Sequence, residues 1–248
     1  MYFWKCWRDS RAYFIGSIIA LPAICVFFTV ITIKVGDPDV ARAGTSPSVV
    51  HAWATTTAYV LGGMASVFTQ IWGLLLGSSG LGEEFKERTA DFLLVRPRRR
   101  RYWVWMGWWV GVAELSLMNF LAVGATFATL TYLTGHVQTW RILTTILPLA
   151  VGGAVVYSLT CFMTLVARSG RQGLSCGIGI VFIDLLLPIA VLYYWHLHMP
   201  SVTTFIFAGC EWATSPHVAY PLGRLALYVG AALAFPFAGQ WLLERAEV

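Results

Sequence analysis

The chain has 248 residues, of which 58% are hydrophobic and only 12% are charged. Its mean hydropathy is +0.68, and a water-soluble fold of this size could not cover so much apolar surface with polar groups. The composition therefore excludes a soluble domain and predicts an integral membrane protein. The formal net charge is +5, and the placement of the basic residues between spans decides how such a protein is oriented.

Six apolar stretches are long enough to cross a bilayer as helices. A helix rises about 1.5 Å per residue and the hydrocarbon core is about 30 Å thick, so roughly 20 mostly apolar residues are needed for each crossing. The stretches that meet this requirement lie near residues 12–33, 52–79, 103–133, 142–167, 173–195 and 222–243. The sequence thus predicts one all-α transmembrane domain over residues 1–248, with six transmembrane helices.

The residues before the first span carry aromatic and basic side chains in alternation. The two sets are Phe3, Trp4 and Trp7, and Lys5, Arg8 and Arg11. This pattern predicts a short N-terminal interfacial helix in the headgroup region, although ordinary aromatic anchoring of the first span explains the same residues. The apolar stretch that follows is longer than the core of a signal peptide, so we expect it to remain as the first span.

The basic residues are distributed unequally between the two sides of the membrane. Six spans place both termini on the same side, and that side carries thirteen Lys and Arg residues against four on the other: Lys34, Arg42, Arg141 and Arg224. Basic residues concentrate in cytoplasmic loops. We therefore expect a multi-pass protein of the inner (cytoplasmic) membrane with both termini and the loop 81–102 in the cytoplasm.

Residues 83–101, called here the charged segment, form the dense charged region between the second and third spans. Three acidic residues at its start (Glu83, Glu84 and Glu87) favour the positive end of a helix dipole, which predicts a short cytoplasmic helix that ends at Pro97. The basic cluster Arg98–Arg101 then meets the third span, and it attracts anionic lipid at about 1 kcal/mol per basic residue. Such a segment is suited to binding a soluble partner.

The order of residues in the charged segment resembles the permeases of type-2 ABC exporters. That family has, between its second and third spans, an acidic pair, a basic–acidic turn, Gly-Thr, an acidic residue, a run of leucines, Pro and a basic residue. The similar residues here are Glu83-Glu84, Lys86-Glu87-Arg88, Thr89, Asp91, Phe92-Leu93-Leu94, Pro97 and Arg98, with Arg88 where the family commonly has Gly. The ending Leu242-Leu243-Glu244-Arg245 is also similar to the tail of that family.

The resemblance implies that this chain is the membrane subunit of an exporter. A separate cytoplasmic ABC ATPase, which binds ATP and Mg²⁺, would drive it, and a second permease copy or a paralogue would complete it. The residues that would contact the ATPase, by this resemblance, are Glu83, Glu84, Glu87, Arg88, Thr89 and Asp91.

The chain itself has no Gly-x-x-x-x-Gly-Lys-Ser/Thr motif, so we expect no ATP hydrolysis by it. We assign it no catalytic residue, cofactor, metal ligand or nucleic-acid partner. The alternative is a membrane scaffold or assembly factor that recruits a cytoplasmic partner through the same segment without transport.

Three polar residues lie at a similar depth in the predicted spans: Gln70, Glu114 and Asp184. Glu114 and Asp184 are each about 16 Å from the cytoplasmic ends of their helices, and Gln70 lies at a similar level. An ionised acid there costs about 2.5–3.5 kcal/mol, so we expect each acid to face protein or a water-filled cavity, or to be protonated. The three residues could line a translocation pathway that faces the partner permease, or hold helices together within one subunit. An intramembrane acid–base enzyme is a third interpretation, but no nucleophile or metal set accompanies the two acids.

Residues 196–221 are too short and too interrupted by prolines to span the membrane. They predict short helices that dip into the outer leaflet. The resemblance implies re-entrant helices at an outer gate, with Glu211 and Trp212 on the exit side, and an amphipathic external loop is the alternative. His196 and His198 stand close together beside Met199 and could bind a soft metal ion such as copper, although histidines are common at membrane interfaces.

Overall fold

The computed structural model describes residues 2–36, 56–86, 97–134, 140–195, 201–214, 220 and 222–245. The α-helices in these ranges are α1 (Tyr2–Gly36), α2 (Ser66–Lys86), α3 (Pro97–Thr134), α4 (Ile146–Ala167), α5 (Gly170–Trp195), α6 (Val202–Thr214) and α7 (Leu222–Arg245). A π-helical segment, Ala58–Ala65, leads into α2, and a 3₁₀-helix, Trp140–Thr145, leads into α4. No strand occurs in the described ranges, which confirms the all-α prediction for them.

Six of these helices are long and apolar enough to cross a membrane. The candidate spans within the described residues are Ser10–Lys34, Tyr59–Ser79, Val104–Leu133, Ile142–Ala167, Gly170–Leu187 and Leu222–Arg245. These ranges overlap the six predicted spans one by one. The remaining helix, α6, has 13 residues and is therefore about 20 Å long, which is shorter than the hydrocarbon core.

Helix α4 lies at the centre of the bundle. It contacts α2, α3, α5, α6 and α7, and its residues are buried without interruption from Gly152 to Ser158. A helix that is buried all round belongs to a core. Helix α1 packs on α3, and α5 packs on α2 and α4. The outward faces of α1 and α5 carry exposed apolar side chains such as Phe27 and Phe182, as helices in contact with lipid require.

Glycine pairs bring α2 and α5 close to α4. The glycines are spaced four apart on each helix: Gly73 and Gly77 on α2, and Gly173 and Gly177 on α5. A Cβ atom at Gly77 would lie 2.8 Å from the carbonyl oxygen of Tyr157, and one at Gly173 would lie 2.7 Å from Thr164 Cα. Small residues at this spacing let two helix backbones approach closely in a membrane. These pairs were not predicted from the sequence.

Side-chain hydrogen bonds fasten α3 to two neighbouring helices. Trp108 Nε1 donates to Ser158 Oγ on α4 over 2.6 Å, and Trp105 Nε1 donates to Gln240 Oε1 on α7 over 3.1 Å. The Tyr157 hydroxyl donates to the backbone oxygen of Gly107 over 2.8 Å. A tryptophan N–H that is removed from water needs such a partner. These bonds therefore fix the register between α3 and the central helix.

The bond between Trp108 and Ser158 is expected to contribute modestly to stability. In a double-mutant cycle of Trp108→Phe and Ser158→Ala, we expect a coupling free energy of about 0.6 kcal/mol, because interhelical hydrogen bonds in membranes average that value. The measurement is the free energy of unfolding of the four proteins in mixed micelles. Strictly additive effects of the two substitutions would contradict the expectation.

The N-terminal region differs from the prediction of a separate interfacial helix. Helix α1 runs without a break from Tyr2 to Gly36. No proline or glycine lies between Tyr2 and Ile15, so nothing interrupts the helix, and Ser10 contacts α3 through Glu114. The residues predicted to precede the first span thus continue its helix.

The charged segment also begins differently from the prediction. Glu83 and Glu84 lie in the last turn of α2, whereas the sequence predicted that a new helix starts at Glu83. Gly80 and Gly82 do not end α2, because a glycine costs a helix only about 1 kcal/mol. Pro97 is the first residue of α3, a position that proline tolerates because it needs no N–H there. The other predicted ATPase contacts lie outside the described residues: Glu87, Arg88, Thr89 and Asp91.

Candidate functional site

Asp184 on α5 holds the beginning of α6. Its Oδ1 accepts a hydrogen bond from the Val202 backbone N–H over 2.9 Å, and its Oδ2 accepts bonds from the Thr203 N–H over 3.2 Å and the Thr203 hydroxyl over 3.1 Å. The first N–H groups of a helix have no partner within the helix, and acidic side chains favour that end. Asp184 therefore caps α6 from a different helix.

Ser201 and Thr204 complete this cap from within the chain. The Ser201 Oγ accepts from the Thr204 N–H, and the Thr204 Oγ1 accepts from the Ser201 N–H, each over 3.0 Å. This is the reciprocal arrangement of a capping box, with threonine in place of the usual Glu or Gln. The pattern Ser-x-x-Thr directly after Pro200 is a signal in the sequence that could have located the start of α6.

Gln70 on α2 joins the same cluster through Thr203. Its Nε2 donates to the Thr203 hydroxyl oxygen over 3.1 Å and approaches Ser66 Oγ at 3.5 Å. The Thr203 hydroxyl thus accepts from Gln70 and donates to Asp184. Gln70 and Asp184, which the sequence placed at one depth, therefore both bind the Thr203 hydroxyl. Thr203 was not among the residues predicted from the sequence.

Glu114, the third residue of the predicted layer, lies elsewhere. Its side chain on α3 is 4% exposed, and its Oε1 lies 2.5 Å from the Ser10 Oγ on α1. The other oxygen, Oε2, is buried and has no hydrogen-bond partner within the described ranges. The predicted layer is thus divided into an Asp184–Thr203–Gln70 cluster and a separate Glu114–Ser10 pair.

A further buried pair lies on the two helices that carry Gln70 and Glu114. The Thr69 hydroxyl on α2 donates to Asn119 Oδ1 on α3 over 2.7 Å, and Asn119 Nδ2 donates to the Leu115 backbone oxygen. Both side chains are fully buried. The bonds of Asp184 with Val202 and Thr203, of Gln70 with Thr203 and of Thr69 with Asn119 join different helices of this chain. The contacts therefore favour the interpretation that Gln70 and Asp184 hold helices together, as polar groups in membrane bundles do.

Glu211 and Trp212 lie at the other end of α6 from the Asp184 cluster, about 14 Å along the helix. Glu211 is exposed, and Trp212 is half-buried with its ring 4.9 Å from that of Tyr220. The preceding Cys210 is fully buried, and burial raises the pKa of its thiol to about 12. Burial of this kind disfavours the reactive thiolate. His196 and His198 lie outside the described residues.

No protein-family model matches this sequence, and no curated protein matches it significantly. The functional interpretation therefore rests on the residues of the charged segment and on the helix arrangement around it.

Proposed function

We propose that this chain is the permease subunit of an ATP-driven exporter that resembles the type-2 ABC exporters, and that it moves a substrate across the cytoplasmic membrane. The supporting observation is the position of the charged segment between two helices that continue beyond the predicted second and third spans. Helix α2 continues to Lys86, seven residues beyond the predicted second span, and α3 begins at Pro97, six residues before the predicted third span. Each extension is about 10 Å long.

The two extensions suit the transmission of force from a cytoplasmic partner. In this proposal an ATPase subunit binds Glu83 and Glu84 on the last turn of α2, together with the contacts that follow them in the sequence: Glu87, Arg88, Thr89 and Asp91. ATP and Mg²⁺ bind to the ATPase, and its closure displaces the end of α2. Because α2 packs on α4 at backbone distance around Gly77, a displacement of α2 would move the central helix with it.

The remaining parts of the proposal concern the outer side. A second permease copy or a paralogue forms the other half of the exporter. Helix α6 is a re-entrant helix that packs on α4 and on the π-helical segment, and Glu211 and Trp212 lie at its outer gate. Both termini are cytoplasmic, in agreement with the distribution of Lys and Arg. Because Gln70 and Asp184 are engaged in hydrogen bonds within the chain, the proposal does not assign them to the translocation pathway.

The test is co-purification of the ATPase with this chain in nanodiscs, from a lysate of its own source. We expect wild type to retain vanadate-sensitive ATPase activity. The triple variant Glu83→Ala, Glu84→Ala, Glu87→Ala is expected to lose about tenfold or more in affinity, equivalent to about 1.4 kcal/mol, because the docking surface loses its carboxylates. Glu244→Ala, which removes an exposed carboxylate of α7, is the matched control and is expected to behave as wild type.

The result also separates the two functional classes. Retention of a partner that has no P-loop, with no ATPase activity in the eluate, would contradict the exporter and favour a scaffold. Equal ATPase activity with wild type and the triple variant would contradict the docking site.

A further inference from the structure

Glu114 is the one carboxyl among the described residues that is buried inside a span. Helices α1 and α3 run side by side, because Ser10 of α1 meets Glu114, and Cys25, four turns further along α1, lies within hydrogen-bonding reach of Thr126. The Glu114 carboxyl is therefore enclosed between two packed helices. Its depth makes an uncompensated charge costly.

The Ser10 hydroxyl lies near two oxygen atoms that can accept its hydrogen. The Ser10 Oγ is 2.5 Å from Glu114 Oε1 and 3.3 Å from the backbone oxygen of Trp7. A serine hydroxyl has one hydrogen, so it cannot donate fully to both acceptors. If the Glu114 carboxyl carries a proton, its O–H donates to Ser10 Oγ, and the Ser10 O–H donates to Trp7.

The second oxygen of Glu114 leads to the same conclusion. Oε2 is buried and has no hydrogen-bond partner in the part of the chain that the structure describes. A carboxylate oxygen in that position would leave a charge without compensation, whereas the carbonyl oxygen of a neutral carboxylic acid costs much less when it is unpaired. The free oxygen is thus compatible with the neutral acid and costly for the ion.

A bound metal ion does not fit this position. Hard cations take about six oxygen ligands, and the hydrogen-bond partner of Glu114 within the described ranges is Ser10 alone. Those ranges contain no group of three His, Cys, Asp or Glu side chains that could hold a metal. The described titratable side chains on the elements packed against α3 form no hydrogen bond with Glu114: Arg11, Tyr13, Cys25 and Lys34 on α1, Tyr59 on the π-helical segment, Tyr157 and Cys161 on α4, and Arg224, Tyr228, Glu244 and Arg245 on α7.

We propose that Glu114 is a proton-binding site between α1 and α3, with the bound proton shared towards the Ser10 hydroxyl at neutral pH. Loss of this proton would place an unpaired charge in the α1–α3 interface, so the proton stabilises the packing of the first turns of α1 on α3. Asp184 differs because three donors from α6 already surround its two oxygens. The inference does not depend on the proposed transport function.

Infrared spectroscopy of the full chain in nanodiscs tests the proposal. The difference between wild type and Glu114→Gln at neutral pH is expected to show the C=O stretching band of a carboxylic acid in wild type that the variant lacks. Asp184→Asn is the matched control and is expected to retain this band. If Glu114→Gln instead removes only the two carboxylate stretching bands, the site is ionised and the proposal is wrong.

Ser10→Ala provides a second test that does not require Glu114→Gln to fold. Removal of the hydroxyl takes away the hydrogen-bond partner of the acid, so the carboxylic acid band is expected to shift to higher frequency. If the band does not shift, the proton is not shared towards Ser10, and the absence of any carboxylic acid band in wild type would contradict the proposal directly.

Discussion

Gly173→Leu is expected to prevent α5 from packing on α4, with loss of most of the folded protein, whereas Gly179→Leu on the same helix is expected to be tolerated. A Cβ atom at Gly173 would lie 2.7 Å from Thr164 Cα and 2.8 Å from the Thr164 backbone nitrogen. Backbone atoms of a central helix cannot move away as a flexible side chain can. Overpacking in cores usually costs about 1–3 kcal/mol, and a leucine against backbone is at or above the upper end of that range.

The control position isolates the effect of close packing from that of helix propensity. A Cβ atom at Gly179 would meet no atom within 4 Å, and the residue is exposed. A leucine there would face lipid, which favours it by about 0.5 kcal/mol. The measurement is the monodisperse fraction and the melting temperature of each variant in detergent. Equal recovery of the two variants would show that the contact at Gly173 is not required.

Asp184→Ala is expected to release the first turn of α6 and to lower the free energy of unfolding by about 2–4 kcal/mol. The substitution leaves three donors of Val202 and Thr203 without their acceptor. Hydrogen bonds to charged groups contribute about 1.5–3 kcal/mol, and loss of a helix cap costs about 1 kcal/mol. In the variant, water can bind the N–H groups that lose Asp184. The expected loss of stability is therefore smaller than the sum of three separate hydrogen bonds.

Amide hydrogen exchange is the suitable measurement for this variant. We expect faster exchange over residues 202–206 in Asp184→Ala and a smaller increase in Asp184→Asn, which keeps one acceptor oxygen. Thr203→Val removes only the hydroxyl and is expected to have the smallest effect. Glu211→Ala alters the far end of α6 and serves as the control. Unchanged exchange in Asp184→Ala would show that the cap does not hold α6 in place.

The spans were predictable because their physical cause is local. A polar group in hydrocarbon is costly wherever it lies, so an apolar run of sufficient length identifies a crossing without knowledge of its neighbours. All six predicted spans therefore overlap a helix of the required length and apolarity. Helix ends were less predictable. The helix propensities of Gly80, Gly82 and Pro97 disfavour a helix interior by only about 1–3 kcal/mol each, and contacts with other helices can outweigh them.

For the polar residues, the sequence predicted the depth in the membrane but not the contacts. Counting residues along a helix gives depth, so the sequence alone indicated that Gln70, Glu114 and Asp184 lie at a comparable level. Depth does not give the direction in which a side chain points around the bundle. Gln70 and Asp184 meet at Thr203, whereas Glu114 turns to Ser10, and only the packing of α1 on α3 decided this.

By itself, the sequence determined the class of the protein, the number of spans, and the position of the charged segment on which the proposed function rests. These properties follow from composition and from patterns within single helices. Only the tertiary structure decided which glycines lie against α4, which side chain caps α6, and which acid has an oxygen without a partner among the described residues. Each of these depends on the rotation and register of two helices relative to one another, and that arrangement is set by the fit of many distant residues at once.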